Sequence, residues 1–233
     1  MLRKILFAVM MVMLLVGSCF ASDVKVWHDS SLKLPELKKV FVLPVTSSLN
    51  AGDNLMPAKK LNAQLEAWTL EGISSAFKKG RITVKGLDAL LEDMRFIYSD
   101  NVSSGDLFFK RAAEMGYRAF VAVNVSQEFK TEHVPETTRT YTEYKEIEKR
   151  DSKGHVIETI RIPEEKTEVI PAHDVTYLST NCEPRLYFTE DYAGDYVGAV
   201  SYKIYREYQG GPVMKVVENI LKASMKSLFT PQK

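Results

Sequence analysis

The chain has 233 residues, 45% of them hydrophobic and 26% charged, the balance of a folded globular protein and not of a disordered one. Its formal net charge is +1, and losing Arg3 and Lys4 brings it to about −1 (29 cations against 30 anions), which offers no electrostatic footprint for nucleic acid. The two cysteines, Cys19 and Cys182, exclude a disulfide-stapled scaffold, because removing or modifying Cys19 leaves Cys182 with no intrachain partner.

Arg3 and Lys4 precede an apolar run over 5–15, and the small residues Gly17, Ser18, Ala21 and Ser22 follow. A basic start, a short apolar stretch and a small-residue exit read as a secretory signal over 1–21. A membrane-spanning helix needs about 20 apolar residues, whereas even the longer stretch 5–20 is shorter and already holds Gly17 and Ser18. Two cuts stand open. Val16-Gly17-Ser18-Cys19 resembles a lipobox, which makes Cys19 an acylated first residue. Cys19-Phe20-Ala21, cut before Ser22, resembles an ordinary signal-peptidase site and leaves a periplasmic protein without an anchor. Either cut exports the chain to the cell envelope, and membrane attachment is expected only through Cys19.

A polar lead-in is read over 22–37, and a single domain over 38–230. The run 40–45, "VFVLPV", is rich in β-branched residues and apolar on both alternating faces, as in a covered strand. Asn, Gly, Asp and Pro signals make 46–60 a loop. Leu61, Leu65, Trp68, Ile73 and Phe77 recur at helical spacing until Gly80. "RITVKG" is a strand, and 87–98 a helix with Leu87, Leu90, Leu91 and Met94 on one side. Ser103 or Ser104 caps a further helix, which Gly116 ends. A strand follows, with Tyr117, Ala119, Val121, Val123 and Val125 expected on one face.

The stretch 136–170 alternates Thr, Tyr, Ile and Val with Glu, Lys and Arg around an Asp151-Ser152-Lys153-Gly154 turn. It reads as a long antiparallel ribbon, solvated on at least one face. Neither of its faces is apolar enough to meet lipid, so a membrane pore is not expected. Strands are expected at 175–179, 185–189 and 196–208, and an amphipathic helix after Gly210-Gly211-Pro212. The predicted fold class is α+β: a mixed sheet covered by amphipathic helices, with the ribbon as an insertion.

Four features resemble small exported envelope proteins of the curli-secretion and penicillin-binding-protein-activator type. They are the signal near a cysteine, "VFVLPV" before a long helix, "AAEMGYRAFVAVNV", and "VGAVSYKIYREYQGG" before a terminal helix. The resemblance implies an anticodon-binding-like α/β fold and an envelope address. This chain departs from the family in carrying Tyr117-Arg118 where an acidic residue is common, and in its longer ribbon.

Signals for catalysis are sparse. His28, His133, His155 and His173 show no metal spacing, and no P-loop, nucleophile elbow or dinucleotide fingerprint occurs. No cofactor or metal is therefore expected, and Cys182 reads as a small buried hydrophobe. Glu190, Asp191 and Asp195 form an acidic loop, the one place where a hydrolase would find carboxylates; too few oxygen ligands surround it for calcium, and a solvated turn is the simpler reading. Tyrosines concentrate on the ribbon and late in the chain. Tyr141, Tyr144, Tyr205 and Tyr208 are the interface candidates, since tyrosine combines contact area with a polar tip. The expected function is a non-catalytic envelope protein that binds or assembles a protein or envelope component, with an envelope hydrolase or a self-associating structural protein as alternatives.

Overall fold

The computed structural model describes residues 21–49, 57–77, 81–98 and 104–231. Cys19, Gly80, Ser103 and all of the signal except Ala21 lie outside them. The strands are β1 (Ala21–His28), β2 (Lys39–Val42), β3 (Thr46–Ser48), β4 (Thr83–Gly86), β5 (Ala119–Val134), β6 (Thr137–Arg150), β7 (Val156–Ile170), β8 (His173–Phe188) and β9 (Gly198–Glu207). The helices are α1 (Ala58–Ala76), α2 (Leu87–Ile97), α3 (Gly105–Glu114) and α4 (Val213–Leu228). Two units divide the chain, one running to Lys130 and resuming at Tyr177, the other spanning Thr131–Thr176.

The first unit is built on a mixed sheet of order β1-β9-β8-β5-β2-β4, with β3 also paired to β5. β2, β3 and β4 run in parallel pairings, whereas β8-β9-β1 is antiparallel. Val40, Phe41 and Val42 are all fully buried, as their two-sided apolar pattern requires. On one face α1 and α4 place Leu65, Ile73, Val217, Ile220 and Leu221 over Val121, Val123 and Val125. On the other, α2 and α3 place Leu90, Met94 and Phe108 against Phe41 and Phe120. Each such side chain contributes roughly 1.5–3 kcal/mol by leaving water. The fold is therefore α+β, with helices on both faces of a mixed sheet.

Local signals explain the joints. Ser104 caps α3 by accepting from the Leu107 amide at 3.4 Å. The helix ends at Gly116, whose φ of +86° lets its amide reach Ala113 and the Tyr117 amide reach Ala112, a doubly bonded stop that only glycine enters cheaply. That stop turns Tyr117 away from the neighbours assigned to it. Ala119, Val121, Val123 and Val125 face α1 and α4, but Tyr117 packs in the opposite core beside Phe41.

Three further segments differ from their sequence reading. The lead-in read over 22–37 carries regular structure: all eight residues of β1 pair with β9, and a short helical turn, Leu34–Glu36, follows. Inside the loop read over 46–60, Thr46–Ser48 forms β3. The two strands expected at 175–179 and 185–189 are one continuous β8. Its pairing with β9 lapses at Glu183 and Pro184, where proline has no amide to give.

The second unit is the ribbon. β6 and β7 pair from Thr137↔Ile170 through Ile147↔Ile160 to Arg150↔Val156. Asp151 closes the turn, its carboxylate accepting the Lys153 and His155 amides at 2.8 and 2.9 Å while Gly154 takes φ +85°. The ends of β5 and β8 belong to it, joined through Thr131–Thr176 at 3.2 Å and His133–Asp174 at 2.8 Å.

Candidate functional site

Among the described residues, the helices leave part of the main sheet uncovered. α2 packs on β2 and β4, α3 lies beside it against Phe41 and Phe120, and the same face of β8, β9 and β1 carries a different set of side chains. Alternation along β9 turns Val200, Tyr202 and Ile204 toward α4, and Ser201, Lys203 and Tyr205 the other way. The register then aligns Trp27 with Ala199 and Arg185, Lys25 with Ser201, and Asp23 with Lys203 and Asn181. Trp27, Lys25, Arg185, Ser201 and Lys203 are all exposed.

An aromatic corner stands at one end of this open face. Trp27 is 47% exposed and meets Tyr196 edge to face, ring centroids 5.4 Å apart and planes at 84°. Tyr196 meets Tyr187 in the same manner at 6.4 Å, and Tyr187 lies flat on Phe120 at 5.0 Å. The exposed rings are thus the outer end of a chain rooted in the core, which fixes their orientation before any ligand arrives. The Arg185 guanidinium sits 5.3 Å over the Tyr196 ring and 4.0 Å from Glu183. Together Lys25, Trp27, Glu183, Arg185, Tyr196 and Ser201 line a shallow depression of about 280 Å³. An amphipathic ring wall with charges of both signs can bind by stacking, cation–π contact and hydrogen bonds.

The residues singled out from sequence fall elsewhere or at the margin. Tyr205 lies on the open face, stacked on Tyr177 at 5.0 Å and 9°. Tyr208 is half-buried against Phe129 at 5.0 Å, and its hydroxyl donates to the Gly211 carbonyl at 3.3 Å. Tyr141 and Tyr144 are exposed on β6, on opposite faces of the ribbon by alternation. Trp27, Arg185 and Tyr196 were not among the candidates. The alternation of Val24, Lys25, Val26 and Trp27 is the signal that would have made 22–28 a strand and turned Trp27 outward.

The acidic loop is pinned by its aromatic residue. Tyr192 lies on Phe109 at 4.4 Å and 3°, and its hydroxyl donates to Asp106. That bond holds the Tyr192 hydroxyl above its ordinary pKa. Glu190, Asp191 and Asp195 are all exposed. Glu190 and Asp191 line an open hollow of about 410 Å³ together with Lys33 and Arg118, and Asp195 is not part of that lining. The two carboxylates thus share an open, solvated hollow with two cations.

Cys182 is fully buried, and burial pushes its thiol up to about 12, far from the range of a nucleophile. Each histidine has a hydrogen-bond partner: His28 the Leu228 carbonyl, His133 Asp174, His155 Asp151 and His173 the Pro171 carbonyl. Among the described residues no group of three His, Cys, Asp or Glu is placed to hold a metal ion, and no helix is long and apolar enough to cross a membrane.

No family model and no curated protein matches the chain. Among solved structures it is similar to the PelC dodecamer from Paraburkholderia phytofirmans, at 11% identity over 91% of this chain and 100% of that one, with a TM-score of 0.43. It is also similar to a neuraminyllactose-binding hemagglutinin homologue from Helicobacter pylori, at 11% identity over 82% and 81% of the two chains, with a TM-score of 0.34.

Proposed function

We propose that this is an exported, non-catalytic envelope protein that binds a protein or cell-envelope component through the open face of its main sheet. The observation behind this reading is the Trp27–Tyr196 corner, exposed yet anchored through Tyr187 and Phe120, with Arg185 laid over it. Tryptophan, tyrosine and arginine are the residues that most often dominate binding energy, and they do so where their geometry is fixed in advance. The signal read over 1–21 supplies the address, and Cys19 the optional anchor.

The test is co-sedimentation of the purified protein with isolated envelope fractions, comparing wild type with Trp27→Ala and Arg185→Ala. Loss of one anchor costs about 1–3 kcal/mol, a fall in affinity of roughly 5- to 150-fold. Neither side chain belongs to the core, so both variants fold. Equal sedimentation of all three proteins would remove the sheet face from the argument.

A further inference from the structure

We propose that the ribbon unit pairs face to face with the ribbon of a second copy of this chain, about a twofold axis running along the ribbon. The proposal concerns a surface different from the open sheet face and stands or falls separately from it.

An isolated two-stranded ribbon is marginal in water, because it has no second layer to pack on. Every residue of β6 is exposed, and so is every residue of β7 before Ile170. Directly opposed residues of an antiparallel pair share a face, so the register sorts the side chains into two sets. One face holds an apolar centre, Ile147 opposite Ile160 with Ile162 beside them, at 44%, 42% and 46% exposure. Around that centre stand Arg139 opposite Glu168, Tyr141 opposite Lys166, and Lys149 opposite Glu158. Cations and anions on this face balance: Arg139, Lys145, Lys149 and Lys166 against Glu143, Glu158, Glu164 and Glu168. The other face, over 138–148 and 159–169, carries Tyr144 opposite Pro163 and Thr138 opposite Val169 in place of an isoleucine centre. Arg161 is its lone cation among Glu146, Glu148 and Glu165, and Ile157 falls in the register shift beside Lys149 and Arg150.

This arrangement matches itself under one symmetry operation. A twofold axis along the ribbon lays β6 of one copy over β7 of the other, so each residue meets the copy of its own cross-strand partner. Ile147 meets the second copy's Ile160, Arg139 its Glu168 and Lys149 its Glu158. Tyr141 meets the second copy's Lys166, an ammonium over an aromatic ring. The one unfavourable row, Glu143 opposite Glu164, is flanked by Lys145 and Lys166, and Lys166 already pairs with Glu143 within the chain. The face is about 40 Å by 10 Å from strand geometry. It buries roughly 800 Å² over both copies, about half of a standard interface, so the dimer is weak.

Sedimentation velocity on the protein as the cell processes it, from about 5 to about 300 µM, reads this directly by mass action. The expected result is a concentration-dependent shift from monomer to dimer. Ile147→Thr with Ile160→Thr keeps a strand-favouring cross-strand pair while removing the apolar centre, and should weaken association at least about 10-fold. A charge swap, Lys149→Glu with Glu158→Lys and Arg139→Glu with Glu168→Arg, keeps every pair within a chain. It should therefore dimerise with itself as wild type does. Mixed with labelled wild-type protein it should not co-dimerise, because like charges then face each other across the interface. A monomer at all concentrations overturns the proposal. So does association unchanged by the threonine variant, or free mixing of the swapped and wild-type chains.

Discussion

Gly72 of α1 faces Met225 of α4 so closely that a Cβ on Gly72 would lie 2.8 Å from the Met225 Cβ and 3.0 Å from the Lys222 Cα. Both neighbours are held by the helix backbone, so neither can swing aside. In an unpacked helix, Ala would gain about 1 kcal/mol over Gly. Here Gly72→Ala must push α1 and α4 apart, and overpacking of that kind costs about 1–3 kcal/mol, more where backbone is the obstacle. We expect net destabilisation of about 1–2 kcal/mol, read as a lower urea midpoint at unchanged slope. A midpoint at or above wild type would mean that the helix pair yields freely.

Cys182 supplies a pH-dependent probe of the same core. Its thiol is raised from 9.0 to about 12 by burial. The unfolded chain loses this proton near its ordinary value while the folded chain keeps it. The contribution to stability is thus whole below about 9 and is lost as pH rises toward 12, by about 1.4 kcal/mol per unit. Tyrosines and lysines titrate nearby, so the readout is a difference: Cys182→Ala should lack this alkaline slope and keep the rest. In the native wild type the thiol should resist a disulfide reagent at pH 8 and react only at the rate of unfolding. Rapid labelling without denaturant would refute the burial.

How much of this was legible in the sequence depended on whether the signal was local. α2, with Leu90 and Met94 at helical spacing, and the glycine stop at Gly116 rest on neighbouring residues and could be read directly. The ribbon was readable too, because its alternation and its Asp-Ser-Lys-Gly turn are both local. β1 was harder to read, since its alternation is confined to Val24, Lys25, Val26 and Trp27, and so short an edge segment becomes a strand because β9 is there to receive it. The continuity of β8 through Pro184 was hidden for the converse reason: proline signals a break locally, and flanking pairs with β9 on both sides overrule it. The aromatic corner joins residues 27, 185, 187 and 196, which only the sheet register brings together.

The Asp151 turn gives the ribbon its own acid sensitivity. The His155 amide, followed by further donors from Lys153, His155 and Gly154, holds the Asp151 carboxyl below its ordinary 3.8. A depressed carboxylate stabilises the fold above its unfolded value and stops doing so as pH falls through the folded one. The turn should therefore hold from neutral pH down to about 3.8 and loosen only below it. Asp151→Ala should already be loose at pH 7. Amide exchange at Gly154 and His155 separates the two cases, with fast exchange expected in the variant at neutral pH and in wild type only in acid. Equal exchange at neutral pH would show that Gly154 alone makes the turn.

His28 ties the edge strand to the terminal helix. Its Nε2 lies 2.7 Å from the carbonyl of Leu228, one of the last-turn carbonyls that a helix leaves without an internal partner. β1 has strand pairing on one side only in the sheet order, so this bond and the pairing with β9 together hold Trp27 in place. His28→Ala should cost about 1 kcal/mol, the usual worth of such a bond, and the loss should be local. Amides of Lys25 and Trp27 should exchange faster, Trp27 fluorescence should become more readily quenched, and the midpoint of global unfolding should move little. His28→Gln, which can still donate, should restore part of the protection. If the global midpoint falls as much as β1 protection does, the strand is part of the cooperative core and not a separately anchored edge.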